Sequence, residues 1–238
     1  MVVTVLRRSR LPVVCCVVLA AALVGACARV VSGTAQPVDT QVRPSRPVPI
    51  ADLLIEPTRF PDRFPAAVVP PKEVDRVIGE TDGVTEGFDV TPPQCAPLPV
   101  LADQKAAVQG TDEASGAKLT VTVIRPVPSL RARVTQLAEC PSFTTTSAEE
   151  GGQVSSVTVK LPPAPPIDAD DSYAVDQTVT TKSAREPAVR MVTLVALVGD
   201  VQVTASVRES GAGGSPDTQA LDTVFTAAVL KVRQNLPR

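Results

Sequence analysis

Between residues 201 and 207 the chain alternates. Val201, Val203, Ala205 and Val207 are apolar, while Gln202, Thr204 and Ser206 are polar. A period of two predicts a strand with one face buried. Just before it, Val189 to Val198 is apolar at both parities, which predicts a central strand covered on both sides. Gly199-Asp200 separates the two runs, and glycine in first place suits a two-residue type II′ hairpin turn. Leu119 to Ile124 alternates in the same way, with Leu119, Val121 and Val123 on one side and Thr120 and Thr122 on the other, so a half-buried strand is expected there. Lys105–Thr111, Val154–Leu161 (with Val157, Val159 and Leu161 inward) and Tyr173–Thr181 complete the expected strands.

Helical spacing occurs in three places. Pro71 to Ile78 predicts one helix, with Val74, Val77 and Ile78 on a single face and Gly79 and Gly83 ending it. Ser129 to Cys140 predicts a second, capped by Ser129, with Leu130, Val134, Leu137 and Ala138 as its stripe. The third begins at Ser215-Pro216, and Leu221, Val224, Phe225, Ala228, Val229 and Val232 recur along one face; Lys231 and Arg233 suit its negative C-terminal end. Ile50–Ile55 reads as a short helix or apolar plug, and Phe60-Pro61 and Phe64-Pro65 force an extended run after it. The sum is an α+β domain: an antiparallel sheet of about five or six strands with packed helices.

The start of the chain follows a different pattern. Arg7, Arg8 and Arg10 precede an apolar run from Leu11 to Ala26 that contains Pro12. The run is shorter than the ~20 residues of a spanning helix and has the build of an export signal. It closes on Leu23-Val24-Gly25-Ala26-Cys27, which reads as a lipobox: cleavage falls before Cys27, whose thiol then carries acyl chains. Residues 1–26 are therefore expected to leave as a signal peptide. Residues 27–49, with Pro37, Pro44, Pro47 and Pro49, form the lipidated cysteine and an extended tether. Residues 50–238 form the domain.

Charge and composition narrow the function. The chain holds 23 basic and 25 acidic residues, net −2, and losing the arginine-bearing leader makes it more acidic. Nothing attracts phosphate backbones, so a nucleic-acid role is excluded. Aromatics are 3% of the chain, with no Trp and one Tyr, so a stacking platform for sugars or bases is missing. There is no His, which removes Ser-His-Asp and Cys-His catalysis and His-bearing zinc sites. With Cys15 and Cys16 in the leader and Cys27 lipidated, Cys95 and Cys140 remain. In an oxidising compartment they read as a disulfide worth roughly 4 kcal/mol by chain entropy, two free thiols or half a metal site being the alternative.

Other candidates are weaker. Ser115-Gly116-Ala117-Lys118 has S-x-x-K spacing but sits in a turn pattern without its partner motifs. Asp168-Ala169-Asp170-Asp171 lacks the Gly and Glu of a calcium loop and reads as a solvated acidic turn, as does Glu149-Glu150 before Gly151-Gly152. Gly213-Gly214-Ser215-Pro216-Asp217 departs from a nucleophile elbow at Asp217 and reads as a helix cap. No catalytic residue, metal site or cofactor is expected.

The lipobox, the tether, Ile50-Ala51-Asp52-Leu53-Leu54 leading to Phe64-Pro65, the Thr91-Pro92-Pro93-Gln94-Cys95 block, Cys140-Pro141-Ser142-Phe143 and the closing amphipathic helix together resemble the uncharacterised mycobacterial and related actinobacterial envelope lipoproteins. These are similar in layout to the extracellular sensor domain of certain receptor serine/threonine kinases, which is α+β with a groove and typically two disulfides; one cysteine pair is present here. The resemblance implies a non-enzymatic binding or sensor-like module, anchored by lipid on the extracytoplasmic face of the cell membrane. Its partner would be an envelope protein, peptide or lipid. An apolar-cavity carrier of envelope lipid and a hydrolase working without His are the competing readings. Labelled palmitate fed to cells making the protein should be incorporated, and Cys27→Ala should abolish the label.

Overall fold

The strand expected to be covered on both sides stands at the centre of the molecule. The computed structural model describes residues 48–84, 87–97, 104–125, 127, 129–147, 152–181, 188–211 and 215–236. Among these, nine strands form one antiparallel sheet: β1 (Ala66–Val68), β2 (Phe88–Thr91), β3 (Gln104–Thr111), β4 (Lys118–Arg125), β5 (Ser142–Ser147), β6 (Val154–Lys160), β7 (Asp171–Thr181), β8 (Val189–Val198) and β9 (Val201–Ser210). Their order across the sheet is β1-β3-β4-β9-β8-β7-β6-β5-β2, which puts β8 fifth of nine. Four α-helices accompany it: α1 (Ile50–Leu53), α2 (Val74–Thr81), α3 (Leu130–Glu139) and α4 (Thr218–Asn235).

The α+β class and the six anticipated strands are present, but the sheet is wider than the five or six strands expected. The three additional strands share a reason for being missed. β1 is Ala-Ala-Val, three residues between prolines. β2 is four residues long, and β5 is Ser-Phe-Thr-Thr-Thr-Ser, whose one large apolar side chain is Phe143. None is long or apolar enough to show a period, and each forms because a neighbouring strand supplies the ladder. β1 and β2 are the two edges, and their shortness limits the unpaired backbone they present.

Alternation along each strand sorts residues into two faces. On the first, Val108, Val121, Ala205, Leu194 and Ala174 line up across β3, β4, β9, β8 and β7. This row belongs to the main core, which α4 covers with all six residues of its predicted stripe and α1 with Leu53. Val48, at the end of the stretch read as tether, packs against the same core, and its carbonyl accepts from Arg125 Nη1 at 3.2 Å. Residues 1–47, including Cys27, lie outside the described residues.

Local expectations hold with adjustments. The last helix is capped by Asp217, which accepts from Ala220 N at 2.9 Å, rather than by Ser215. A carboxylate gains more from the positive helix end than a hydroxyl does, and Arg63 also holds it, at 3.1 Å. Pro71–Ile78 is not one helix: a 3₁₀ turn (Pro71–Glu73) leads into α2, which runs through Gly79 to Thr81. Ser129 caps α3 as expected, but Ala138 is exposed. Leu161 is 37% exposed, because β6 stops at Lys160 and the prolines after it offer no N–H to pair. Gly199-Asp200 closes the β8–β9 hairpin.

Gly110 on β3 shows how closely the edge is packed. A Cβ there would lie 2.6 Å from the carbonyl oxygen of Phe64, whose side chain is fully buried. Backbone cannot turn aside as a side chain can. Gly110→Ala is expected to cost roughly 1–3 kcal/mol in urea unfolding, with β1 displaced from β3.

Candidate functional site

The second face of the sheet mixes polar with apolar side chains, and most of its polar ones are buried. Ala107, Thr122, Thr204, Val195 and Tyr173 form one row across it, and Gln109, Thr120, Ser206, Thr193 and Val175 the next. The threonines of β4, expected to meet solvent, are only 3–4% exposed. Burying a hydroxyl without a partner costs a few kcal/mol, so the contacts on this face decide whether its cover stays closed.

Two small apolar clusters flank the polar strip. α2 packs Val74, Val77 and Ile78 on Ala107 and Ile124. At the other side, Leu137 of α3 joins Phe143, Val157, Val159 and Val175 around Cys95 and Cys140. Between them lies a cavity of about 40 Å³ lined by Thr81, Asp82, Thr122, Arg133, Tyr173, Gln177, Thr193, Gln202 and Thr204, with aliphatic walls from Ile78, Ile124, Leu137, Val175 and Val195. That is room for a few waters.

The end of α2 is fixed over this cavity by its own backbone needs. A helix leaves its last four carbonyls without helical partners. Here Ile78 O accepts from Thr81 Oγ1 at 2.7 Å, Gly79 O and Glu80 O accept from the N–H groups of Asp82 and Gly83, and Thr81 O accepts from Thr193 Oγ1 at 3.4 Å. The next carbonyl, of Asp82, accepts from Gln177 Nε2 at 3.1 Å. Gly83 has φ +76°, and a Cβ there would lie 2.9 Å from Gln177 Oε1. Sheet side chains thus complete the C-terminus of the helix.

Asp82 is a carboxylate at the negative end of a helix, an unfavourable place. Arg133 of α3 compensates, with Nη2 3.2 Å from Asp82 Oδ1. The Arg133 side chain is 11% exposed and that of Asp82 30%, so Asp82 stands at the mouth and the guanidinium lies inside. Arg133 Nη1 donates to Gln136 Oε1 at 2.7 Å, and Gln136 Nε2 donates to the carbonyls of Gln94 and Ala96 on either side of Cys95. Dense packing raises the Asp82 pKa, against the pull of Arg133. Tyr173 is pushed up as well, first by burial and then by the Asp82 charge.

Cys95 and Cys140 are joined, with S–S 2.01 Å and Cα atoms 5.7 Å apart, and this bridge ties α3 to the segment after β2. The other sequence candidates do not converge. Ser115 donates to Asp112 Oδ2 in the β3–β4 turn, while the Lys118 amino group is 4.0 Å from Glu80. Asp168 and Asp170 bind Arg233 of α4, and Asp170 also accepts from Gly199 N–H. Glu149-Glu150 and Gly213-Gly214 lie outside the described residues. Among the described residues, no three Cys, Asp or Glu side chains gather in a metal-binding group, and no helix is long and apolar enough to cross a membrane. A second groove, about 360 Å³ between α1 and α4, is rimmed by Asp52, Glu56, Arg59, Lys231 and Gln234 around half-exposed Leu230.

No protein-family model matches the chain, and no curated protein does. Among solved structures it is similar to an uncharacterised protein of Mycobacterium smegmatis, the Rv0999 ortholog, at 17% identity over 74% of this chain and 92% of that one, TM-score 0.45. It is also similar to the extracellular domain of PknH from Mycobacterium tuberculosis, at 11% identity over 76% of this chain and 98% of that one, TM-score 0.45. Likeness at this level is loose, and the functional reading stands on the residues of this chain.

Asp82 and the exposed Asp170 titrate in opposite senses. Asp82 has a raised native pKa, so the folded state takes up its proton more readily than the unfolded chain, and its penalty is relieved as pH falls through that raised value. Asp170 is held below the ordinary value, first by the Gly199 N–H and then by Arg233. Its contribution is present above about pH 4 and fades as pH falls through its lowered value. In urea unfolding between pH 7 and pH 3, wild type should therefore gain stability relative to Asp82→Asn on acidification and lose it relative to Asp170→Asn.

Proposed function

We propose that the chain is a binding or sensor-like module of the cell envelope, held on the extracytoplasmic face of the membrane by lipid on Cys27, which recognises a ligand in the cleft beneath α2 and α3. The observation that carries this reading is the cavity itself: a buried stretch of sheet rich in hydroxyls and amides, roofed by two helices that meet it through hydrogen bonds and an ion pair as well as through their apolar residues. A cover held by hydrogen bonds can exchange those bonds for a ligand's, whereas one held by apolar packing alone has nothing to exchange. The lipobox and the Cys95–Cys140 bridge support the location, since disulfides persist outside the reducing cytosol.

The module acts by recognition and carries out no chemistry of its own. The envelope-lipid carrier is less well supported, because burying an acyl chain takes an apolar cavity of several hundred Å³. The cavity under α2 is too small and the wider groove between α1 and α4 is polar-rimmed. Native mass spectrometry of the full chain released from detergent should report a bound small molecule, and Gln177→Leu should lose it. A co-purifying lipid retained by Gln177→Leu would favour the carrier instead.

A further inference from the structure

The cavity beneath α2 holds more polar capacity than its own contacts use. Thr122 is 3% exposed and lines it, yet its hydroxyl has no hydrogen-bond partner among the described residues. Gln177 gives its Nε2 to Asp82 O, while its Oε1 faces Gly83 without a donor. Tyr173 adds a phenol. At the centre is one guanidinium, and the group that neutralises it, Asp82, follows the last residue of α2, with its side chain 30% exposed. The Asp82 carboxylate has solvent beside it, whereas Arg133 is tied through Gln136 to the disulfide loop.

We propose that Arg133 and the hydroxyls beneath it form a site for a small aliphatic monocarboxylate, whose place on the guanidinium Asp82 occupies when no ligand is bound. This rests on the cleft being the recognition site. The ligand's charge follows from arithmetic: one guanidinium balances one negative charge, and a dianion would leave a charge buried without a partner. Carboxylate geometry matches the guanidinium fork and is what Asp82 already offers. The short hydrocarbon tail follows from Ile78, Ile124, Leu137 and Val195, and from a space of about 40 Å³ that excludes anything bulky until α2 shifts. Thr122 and Tyr173 donate to the second carboxylate oxygen.

Binding is competitive with the protein's own side chain, so it depends on the state of Asp82. Arg133 from α3 and Tyr173 from β7 are the other ionisable groups lining the cavity. Glu80, on the same helix as Asp82's carbonyl network, is paired with Arg76 and Lys118. β4, β8 and β9 contribute only neutral groups to the lining. Acid weakens the internal competitor and favours the ligand, as long as the ligand itself remains ionised.

The test is calorimetric titration of the full chain, in a mild non-ionic detergent, with acetate and propionate at pH 7 and pH 5.5, and with chloride and phosphate as controls. Asp82→Asn should bind the carboxylates at pH 7 at least about tenfold more tightly than wild type, the usual scale for removing a competing charge. It should also show less dependence on pH than wild type, whose affinity should rise on acidification. Thr122→Val, nearly isosteric, should weaken wild-type binding at pH 5.5 by roughly threefold or more, and Arg133→Gln should abolish it. A folded Asp82→Asn with no gain in affinity overturns the proposal, as does an equal gain for chloride or phosphate. An unchanged Thr122→Val does so as well, and it covers the case in which Asp82→Asn fails to fold. Carboxylate failure alongside a neutral ligand seen by mass spectrometry removes this inference and leaves the binding module; silence in both experiments removes the two together.

Discussion

The structure depends on how it hides polar groups. A wide sheet needs cover on both faces, and here one face is covered by an unbroken apolar core and the other by two small apolar clusters with a polar strip between them. α4 lies on valine, leucine and alanine rows, a packing that area alone can drive. The central strip of the opposite face presents threonine, serine and glutamine to its cover, so closure there requires hydrogen bonds in addition to apolar packing. α2 meets the requirement by offering carbonyls at its C-terminus, the one part of a helix that still has acceptors free. The amides and hydroxyls of β7 and β8 and the unfinished end of α2 satisfy each other.

That bargain sets up the charge arrangement. An Asp at the end of α2 would be repelled by the helix it terminates, and Arg133 makes it tolerable. Arg133 in turn is positioned by Gln136, Gln136 by the carbonyls around Cys95, and that segment by the bridge to Cys140. A covalent bond near the far edge of the sheet is thereby connected, through three side chains, to the mouth of the cavity.

Much of the fold could be read from the sequence, and almost none of the site. The β8–β9 hairpin and the stripe of α4 were legible because aliphatic spacing there is long and unmixed. β1, β2 and β5 were not, because they are short or hydroxyl-rich and become strands only beside β3 and β6. Thr120 and Thr122 look like the solvent side of a half-buried strand, and nothing local says that a helix lies over them. Asp82, within Thr81-Asp82-Gly83, reads as an ordinary helix end. Arg133 reads as one polar residue on an amphipathic helix. Their meeting spans 51 residues of sequence and is a property of topology, visible only once α2 and α3 are seen on the same face. The cysteine pair was legible by elimination, since it needs only a count and a compartment.

The rims of the sheet carry a different implication. β1 is three residues long between Pro65 and Pro70, and β2 four, running into Pro92 and Pro93. Val68 is 58% exposed but belongs to a ladder too brief to template another chain. Many copies brought side by side at high local density would therefore meet through their side chains, as separable neighbours, and would not zip together through their backbones into a continuous ribbon.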